Sequence, residues 1–534
     1  MKDYFYISSN RLVDSDVNIT FREAFTSGEE EFDKWILSLK SLVRKNWKKY
    51  NLPPYEGSNT EESLVDDFRS FSKRKIDDVL CVDDLTHQEN CLVNKTKTAS
   101  SCNNFFPDIW RVVDTSVGCS MYQLFHDDKL ANRLRSVLVR HYKNDGYYLF
   151  STYAMKSDFS AAADLSQKNC IVRAKNGYDW IKEFTDKRST QHKTFDFFLE
   201  STTREKNKRF IEGKATLSKR EIEFLRQVDF IKDHHMKTMV FDEQDKQPFG
   251  KMPQKHLFYI RYFDNKEKIF PKGVRTFTTG VVVQTTNFSP SVAKYLYQRF
   301  TNHLKDKKRI VVFDPCSGFG GRLMGALTVA SDRPLHYVGN DPNPYNFISD
   351  LNVSRYEYLG QFYKNNVKQK NHLTYEFFQD CAEELHKNKA FQKYKNKIDL
   401  VFTSPPYFNA EIYFGDKTDS SVRYPRYEDW RDKFLRRTLE TCVSYLKKDG
   451  ILIWNIADMN DHQTNKMMPL EADTIEILES LNMKYVDKLK YVLAKTTGSG
   501  RTGKITELPT HKNFVEINSS VRKYEPLLIF RKNK

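Results

Sequence analysis

Thr403-Ser404-Pro405-Pro406-Tyr407-Phe408 carries the most specific chemistry in the chain. Two consecutive prolines cannot continue a strand ladder, so the backbone there leaves its sheet as a rigid loop. Such a loop fixes the Ser404 hydroxyl and the Pro405 carbonyl as acceptors and presents the Tyr407 ring as a flat face. Acceptors placed around an amino group hold its hydrogens and aim its lone pair, as direct attack on an electrophilic methyl requires. Three acids stand upstream, each at the end of an apolar run: Asp314, Asp341 and Asp380. Asp314 opens Asp314-Pro315-Cys316-Ser317-Gly318-Phe319-Gly320-Gly321, whose glycines let the backbone pass close to a ligand and turn into a helix. No Lys-Ser/Thr pair follows, so this is not a phosphate-binding P-loop. Asp341, 27 residues further on, suits both hydroxyls of a ribose, and Asp380 suits an adenine amino group. Each also has a plainer reading: Asp314 as a helix N-cap, Asp341 as a turn acid on the surface. Cys316 sits inside the glycine turn and reads as a small buried residue, not a nucleophile. His234, His235 and His372 lack partners at ligand spacing, so no metal is expected.

The elements that must position these residues form an alternation. Short apolar strands are expected at 309–314, 336–341, 374–380, 399–404, 450–458, 485–494 and 526–530, with amphipathic helices between them. The segment 287–300 reads as a turn into a helix, with Asn287 or Ser289 as N-cap and Pro290 in the first turn. Strand–helix alternation predicts an α/β fold with a mostly parallel, doubly wound sheet, whose strand carboxyl ends would gather the acids on one ligand. The last two strands follow one another through a basic, Gly-rich link at 495–504, which predicts an antiparallel edge.

Upstream of 280 the texture differs. A helix is expected at 32–50, with Trp35, Ile36, Leu39, Leu42 and Val43 on one face. Residues 57–105 are polar and read as loop, 119–150 as helix, turn and strand, and 180–240 as mostly helical. Between 201 and 280, 18 Lys/Arg face 11 Asp/Glu, with aromatics interleaved as in 256–263. That pattern suits a groove in which cations track phosphates and rings stack on bases, and equally a charged helical face. The boundaries expected are an irregular N-terminal region at 1–115, a basic recognition domain at 116–279 and a catalytic domain at 280–534.

Composition excludes several classes. Of 534 residues 39% are hydrophobic and 29% charged, a globular balance. No window approaches the length of a membrane helix, and the first residues do not form a secretory signal. The 8 cysteines include no CxxC pair, which argues against a disulfide scaffold or a Cys-rich zinc site and for a reducing cytoplasm. Lys+Arg 86 against Asp+Glu 70 leaves +16, a charge that favours a polyanion, nucleic acid above all.

Taken in order, these motifs resemble the SAM-dependent amino-methyltransferases of DNA, the N4-cytosine/N6-adenine class. The segments that carry the resemblance are 314–321, 339–344, 379–385, 403–408, the strand at 450–458 and Tyr524–Lys532. It covers about residues 280–534. It implies a Rossmann-like SAM-dependent methyltransferase fold, preceded by a mixed, mainly helical N-terminal region. It also implies S-adenosyl-L-methionine as cofactor, held by Phe288, Asp314, Gly318, Gly320, Gly321, Asp341 and Asp380. Ser404, Pro405, Pro406 and Tyr407 would hold the target base, with Phe408 beside them; Tyr413 and Arg423, in the 409–429 loop, read as a substrate-binding lid and equally as ordinary loop residues. Serine at the first motif position is similar to the N4-cytosine subgroup. The chain departs from the usual order, because no large recognition insert fits between Gly321 and Ser404. Recognition is therefore expected before residue 280, an arrangement that also admits an RNA substrate, with N6 of adenine or a non-catalytic nucleic-acid-binding role as further alternatives.

Overall fold

The computed structural model describes residues 29–50, 61–94, 101–115, 118–135, 146–151, 172–174, 237–242 and 255–263. It also describes 285–533 apart from breaks at 305, 331–332, 368–371, 462–463, 465, 494–512 and 519. The N-terminal elements are helices α1 (Glu29–Tyr50) and α2 (Glu61–Lys73) and strands β1 (Leu80–Asp83), β2 (Gln88–Val93) and β3 (Val113–Asp114), then α3 (Met121–His126). Four strands follow: β4 (Gly146–Ser151), β5 (Val172–Ala174), β6 (Lys237–Asp242) and β7 (Lys255–Phe263). They form a separate antiparallel sheet in the order β5-β4-β7-β6.

The C-terminal half alternates as expected: α4 (Pro290–Thr301), β8 (Ile310–Asp314), α5 (Gly321–Val329), β9 (Leu335–Asn340), α6 (Arg355–Asn366), β10 (Thr374–Phe378), β11 (Ile398–Thr403) and β12 (Glu411–Ile412). It ends with α7 (Arg436–Tyr445), β13 (Leu446–Asn455), α8 (Leu470–Ser480), β14 (Met483–Val492), β15 (Phe514–Ile517) and β16 (Ser520–Lys532). The main sheet runs β1-β2-β14-β16-β13-β11-β8-β9-β10. Strands β13, β11, β8, β9 and β10 are mutually parallel, and β16 runs antiparallel to both β13 and β14. This is the mostly parallel, Rossmann-like α/β architecture anticipated from the alternation.

Period-two side-chain placement explains the layering. Every residue of β8, β9 and β11 is buried, as parallel strands covered on both faces require. In β8, Ile310 and Val312 join one core with α4, α5 and α6, while Val311 and Phe313 join the other with α7 and α8. Ser289 caps α4 by accepting from the Val292 amide, with Pro290 in the first turn, as the spacing predicted.

The N-terminal region shares the first of these cores. Helix α1 buries Trp35, Ile36, Leu39 and Val43, the expected face. The segment read as loop instead holds α2, β1 and β2. Its apolar residues Leu64, Val65, Phe68 and Phe71 follow helical spacing within a polar composition, and burial against α6 makes them a helix, with Phe68 stacked on Tyr363 at 4.6 Å. Lys294 of α4 caps the end of α2 through the carbonyls of Ser72 and Arg74, both at 2.9 Å. Strand β2 adds in parallel to β14, and Lys490 of β14 bridges Asp83 at 2.6 Å. The antiparallel strand β16 therefore lies inside the sheet, because β2 and β1 extend it past β14. The 495–504 link lies outside the described residues, and so does most of the 180–240 helical stretch and of the basic 201–280 segment. Among the described residues, no helix is long and apolar enough to cross a membrane.

Candidate active site

The turn between β8 and α5 is held from beneath by a buried ion pair. Asp314 and Arg322 are 1% and 5% exposed, and the guanidinium donates to both carboxylate oxygens, at 2.7 and 3.2 Å. Tyr337 and Thr403 donate to the same carboxylate at 2.6 and 2.7 Å, and Arg322 also donates to the Cys316 carbonyl. Asp314 is thus enclosed by protein donors that link β8, β9, β11 and α5, and it does not line the cavity described below. Gly320 has φ +80°, and a Cβ there would meet Phe106 at 2.6 Å. Gly320→Ala should therefore destabilise the protein by about 1–3 kcal/mol, read as a lowered thermal midpoint. A Cβ at Gly321 would lie 2.2 Å from the Phe288 carbonyl, so this glycine lets the start of α5 pack on the 287–288 backbone.

Asn340, fully buried, ties three strand ends together. Its side chain donates to the carbonyls of Pro315 and Asp380 at 3.0 and 2.9 Å and accepts from the Asp380 amide at 3.1 Å. One residue on, Asp341 accepts from the Gly318 amide at 2.8 Å and the Asn343 amide at 3.1 Å, through different oxygens. Burial lifts the Asp341 carboxyl to about 6 against the pull of those two amides. Oδ1 also accepts from Asn346 Nδ2 at 3.4 Å, so Oδ2 is the oxygen that keeps a lone pair for a further donor. The Asp380 carboxylate accepts from Asn388 at 2.7 Å.

Asp341 lines a cavity of about 700 Å³, part of it open to solvent. Cys316, Gly318 and Phe319 of the glycine turn form one side. Pro342 and Asn343, Cys381 to Glu383, and Phe434 form others. Ser404 and Pro406 close it at the motif, and Tyr413, Phe414 and Thr418 to Ser420 cover it. A Cβ at Gly318 would meet nothing closer than Arg322 at 3.9 Å, so that side of the turn faces open space. Cys316 is buried and its thiol is pushed well above the ordinary range, so it stays protonated. The lining acid beyond β10 is Glu383, not Asp380. Glu383 is 3% exposed, raised by burial, and paired with Arg423 at 3.0 Å.

The motif stands at the end of β11, and Tyr407 is not among the residues that line the cavity. Thr403 bonds to Asp314, Ser404 and Pro406 reach the cavity, and Pro405 is buried. Phe408 packs into the second core against Tyr427 and Trp430, away from the cavity. Tyr413 lines the cavity and donates to Glu411 at 2.6 Å. Arg423 is held by Glu383 and Glu384 as a strap beside the cavity. Asp419 shapes the covering loop by accepting from the amides of Phe414 and Gly415 at 2.8 and 2.6 Å. The loop is braced from the N-terminal region: β12 pairs with β3, and Thr115 donates to the Asn409 carbonyl at 2.6 Å. Arg322 and Asp419 carry no local signature, whereas Asn340 and Glu383 lay within motif segments, 339–344 and 379–385, without being singled out there.

Residues 398–534, which contain Ser404 to Phe408, match a family of DNA methylases. This segment is the C-terminal quarter of the chain. No curated protein matches the sequence. A Thermus thermophilus protein described as a DNA modification methylase is 17% identical, over 29% of this chain and 52% of its own, with a TM-score of 0.19. The chain thus spans about half the length of that relative. A SAM-dependent methyltransferase from Methanosarcina mazei is 13% identical over 43% of this chain and 96% of its own, TM-score 0.25. The YcgJ protein of Bacillus is 11% identical over 45% and 98%, TM-score 0.26. Likenesses this distant carry no argument about activity.

Proposed function

We propose that this protein is an S-adenosyl-L-methionine-dependent methyltransferase that modifies the exocyclic amino group of a DNA base, N4 of cytosine in the first instance. The observation that carries the reading is the meeting of Asp341 and the Ser404-Pro405-Pro406 turn on one cavity, the turn lying within the segment 398–534 that matches DNA methylases. The cavity suits the cofactor. Asp341 Oδ2 retains a lone pair for a ribose hydroxyl, and Pro342, Ala382 and Phe434 supply apolar walls for an adenine. When bound, the cofactor supplies a methyl group on a positively charged sulfur.

Asp341 would hold the ribose, the 381–383 segment would meet the adenine, and Cys316, Gly318 and Phe319 of the glycine turn would border the methionine end, whereas Phe288 packs on Phe402 and Tyr491 outside the cavity lining. Asp314 and Arg322 act from beneath by fixing that turn. Ser404 Oγ and the Pro405 carbonyl accept the two amino hydrogens and aim the nitrogen lone pair, while Tyr407 offers a stacking face for a base drawn out of the duplex.

The test supplies tritiated S-adenosyl-L-methionine and unmodified genomic DNA, followed by nucleoside mass spectrometry. N4-methylcytosine is the expected product. N6-methyladenine would correct the base, label in RNA alone would move the chemistry to RNA, and no label in either would overturn the reading.

Asp341 gives a pH signature. Its carboxyl is raised, so its contribution to stability without ligand is full below the ordinary carboxylate value and is lost as pH rises through about 6. Ribose hydroxyls favour the ionised form. Cofactor affinity should therefore be flat above about pH 7 and fall towards tenfold per pH unit below about 6. Asp341→Ala should weaken binding by about 10–100-fold, the worth of hydrogen bonds to a charged group, and remove that pH dependence. Calorimetry between pH 5 and 8 checks both.

A further inference from the structure

The carboxyl edge of the sheet carries a second polar cluster beside Ser404 that the proposed chemistry leaves unused. Thr403 pairs with Trp454 and Asn455 with Leu527, so Glu525 stands just past the end of β13, opposite Tyr491 of β14. Two buried atoms in this cluster have no hydrogen-bond partner among the described residues: Tyr407 Oη and Asn455 Oδ1. Asn455 uses its amide nitrogen on the Pro526 carbonyl at 3.0 Å. Glu411 lies on the same side, accepting from Thr285 Oγ1 at 2.9 Å and from Tyr413 Oη at 2.6 Å. The titratable groups that face Glu525 are Tyr407, Glu411, Tyr491 and Lys523. Burial, and repulsion from Glu411 after it, lifts the Glu525 carboxyl to about 7.

We propose that Glu525 donates the hydrogen bond that recognises the ring nitrogen beside the target amino group. The proposal rests on the amino-methyltransferase reading. Cytosine and adenine both present an amino group next to a ring nitrogen with a lone pair, a donor beside an acceptor. Ser404 and Pro405 can only satisfy the amino half. The ring nitrogen then needs a donor, because an unpaired acceptor in a dry pocket is costly. Tyr407 cannot be that donor while its ring lies under the base, since its hydroxyl is then in the plane of its own ring, away from the base edge. A protonated Glu525 can donate, whereas its carboxylate would oppose the lone pair. Wild-type transfer should therefore decline as pH rises through about 7.

The test is single-turnover methyl transfer by wild type, Glu525→Gln and Glu525→Ala. The substrates are oligonucleotides bearing cytosine or adenine, or the 3-deaza and 1-deaza analogues that lack the ring nitrogen. Glutamine keeps a donor that does not titrate, so Glu525→Gln should stay within about threefold of wild type and lose the decline above pH 7. Glu525→Ala should lose about 10–100-fold on the natural base and nothing further on the deaza base. If Glu525→Gln is as slow as Glu525→Ala while wild type methylates the natural base, the donor role is overturned and the methyltransferase reading stands. The donor role falls equally if the deaza and alanine losses simply add. If wild type methylates neither natural base, both fall.

Discussion

Arg322→Leu should destabilise the protein by about 3–5 kcal/mol, the cost of leaving one member of a buried ion pair unpaired. Asp314 and Arg322 are both nearly inaccessible to water, so solvent cannot replace the lost cation. Tyr337 and Thr403 would still donate to the carboxylate, but they do not carry a compensating charge. The Cys316 carbonyl would lose a donor as well, and with it the glycine turn loses its anchor. A thermal midpoint lower by roughly 3–5 °C is expected for a chain of this size. Arg322→Lys should fall between the two, since an ammonium keeps the charge without the planar fork. Pairing Arg322→Leu with Asp314→Asn should recover part of the loss, because no charge is then left buried. A midpoint unchanged in Arg322→Leu would mean that water or another cation reaches Asp314.

Ser404→Ala should slow methyl transfer by about 100–1000-fold, as the loss of one preorganised hydrogen-bonding group does elsewhere. Cofactor affinity should stay within about threefold, because Asp341 and the glycine turn, which would hold that ligand, form other walls of the cavity. Ser404 stands where the chain leaves β11, with Thr403 fixed on Asp314 and Pro405 buried behind it, so its position is set before substrate arrives. Single-turnover rates and calorimetry on the same preparation separate the two effects. Full activity in the alanine variant would remove Ser404 from the chemistry.

The parts of this protein written in local pattern were legible in its sequence. Fully apolar runs such as Ile310–Asp314 and Ile398–Thr403 announce strands buried on two faces, and Ser289-Pro290 announces a helix start. Asp341 and Ser404 were legible for the same reason, because a site at strand ends follows from where the strands end. Other assignments depended on partners far along the chain. Asp314 reads as a ligand acid until Arg322, Tyr337 and Thr403 are seen to surround it. Arg423 reads as a substrate-binding residue until Glu383 and Glu384 are seen to hold it.

From its order of residues alone, the chain declares an alternating α/β sheet and the turns at its strand ends, since backbone preference and side-chain periodicity act within a few residues. Tertiary structure decided the rest. It inserted Phe106 against Gly320, drew β1 and β2 onto the sheet, clamped the 409–412 backbone with β3, and gathered Glu411, Glu525 and Tyr407 beside Ser404. Those contacts join residues up to several hundred positions apart. What selects them is burial of apolar surface and satisfaction of buried polar groups, and both are properties of the packed chain rather than of any short segment.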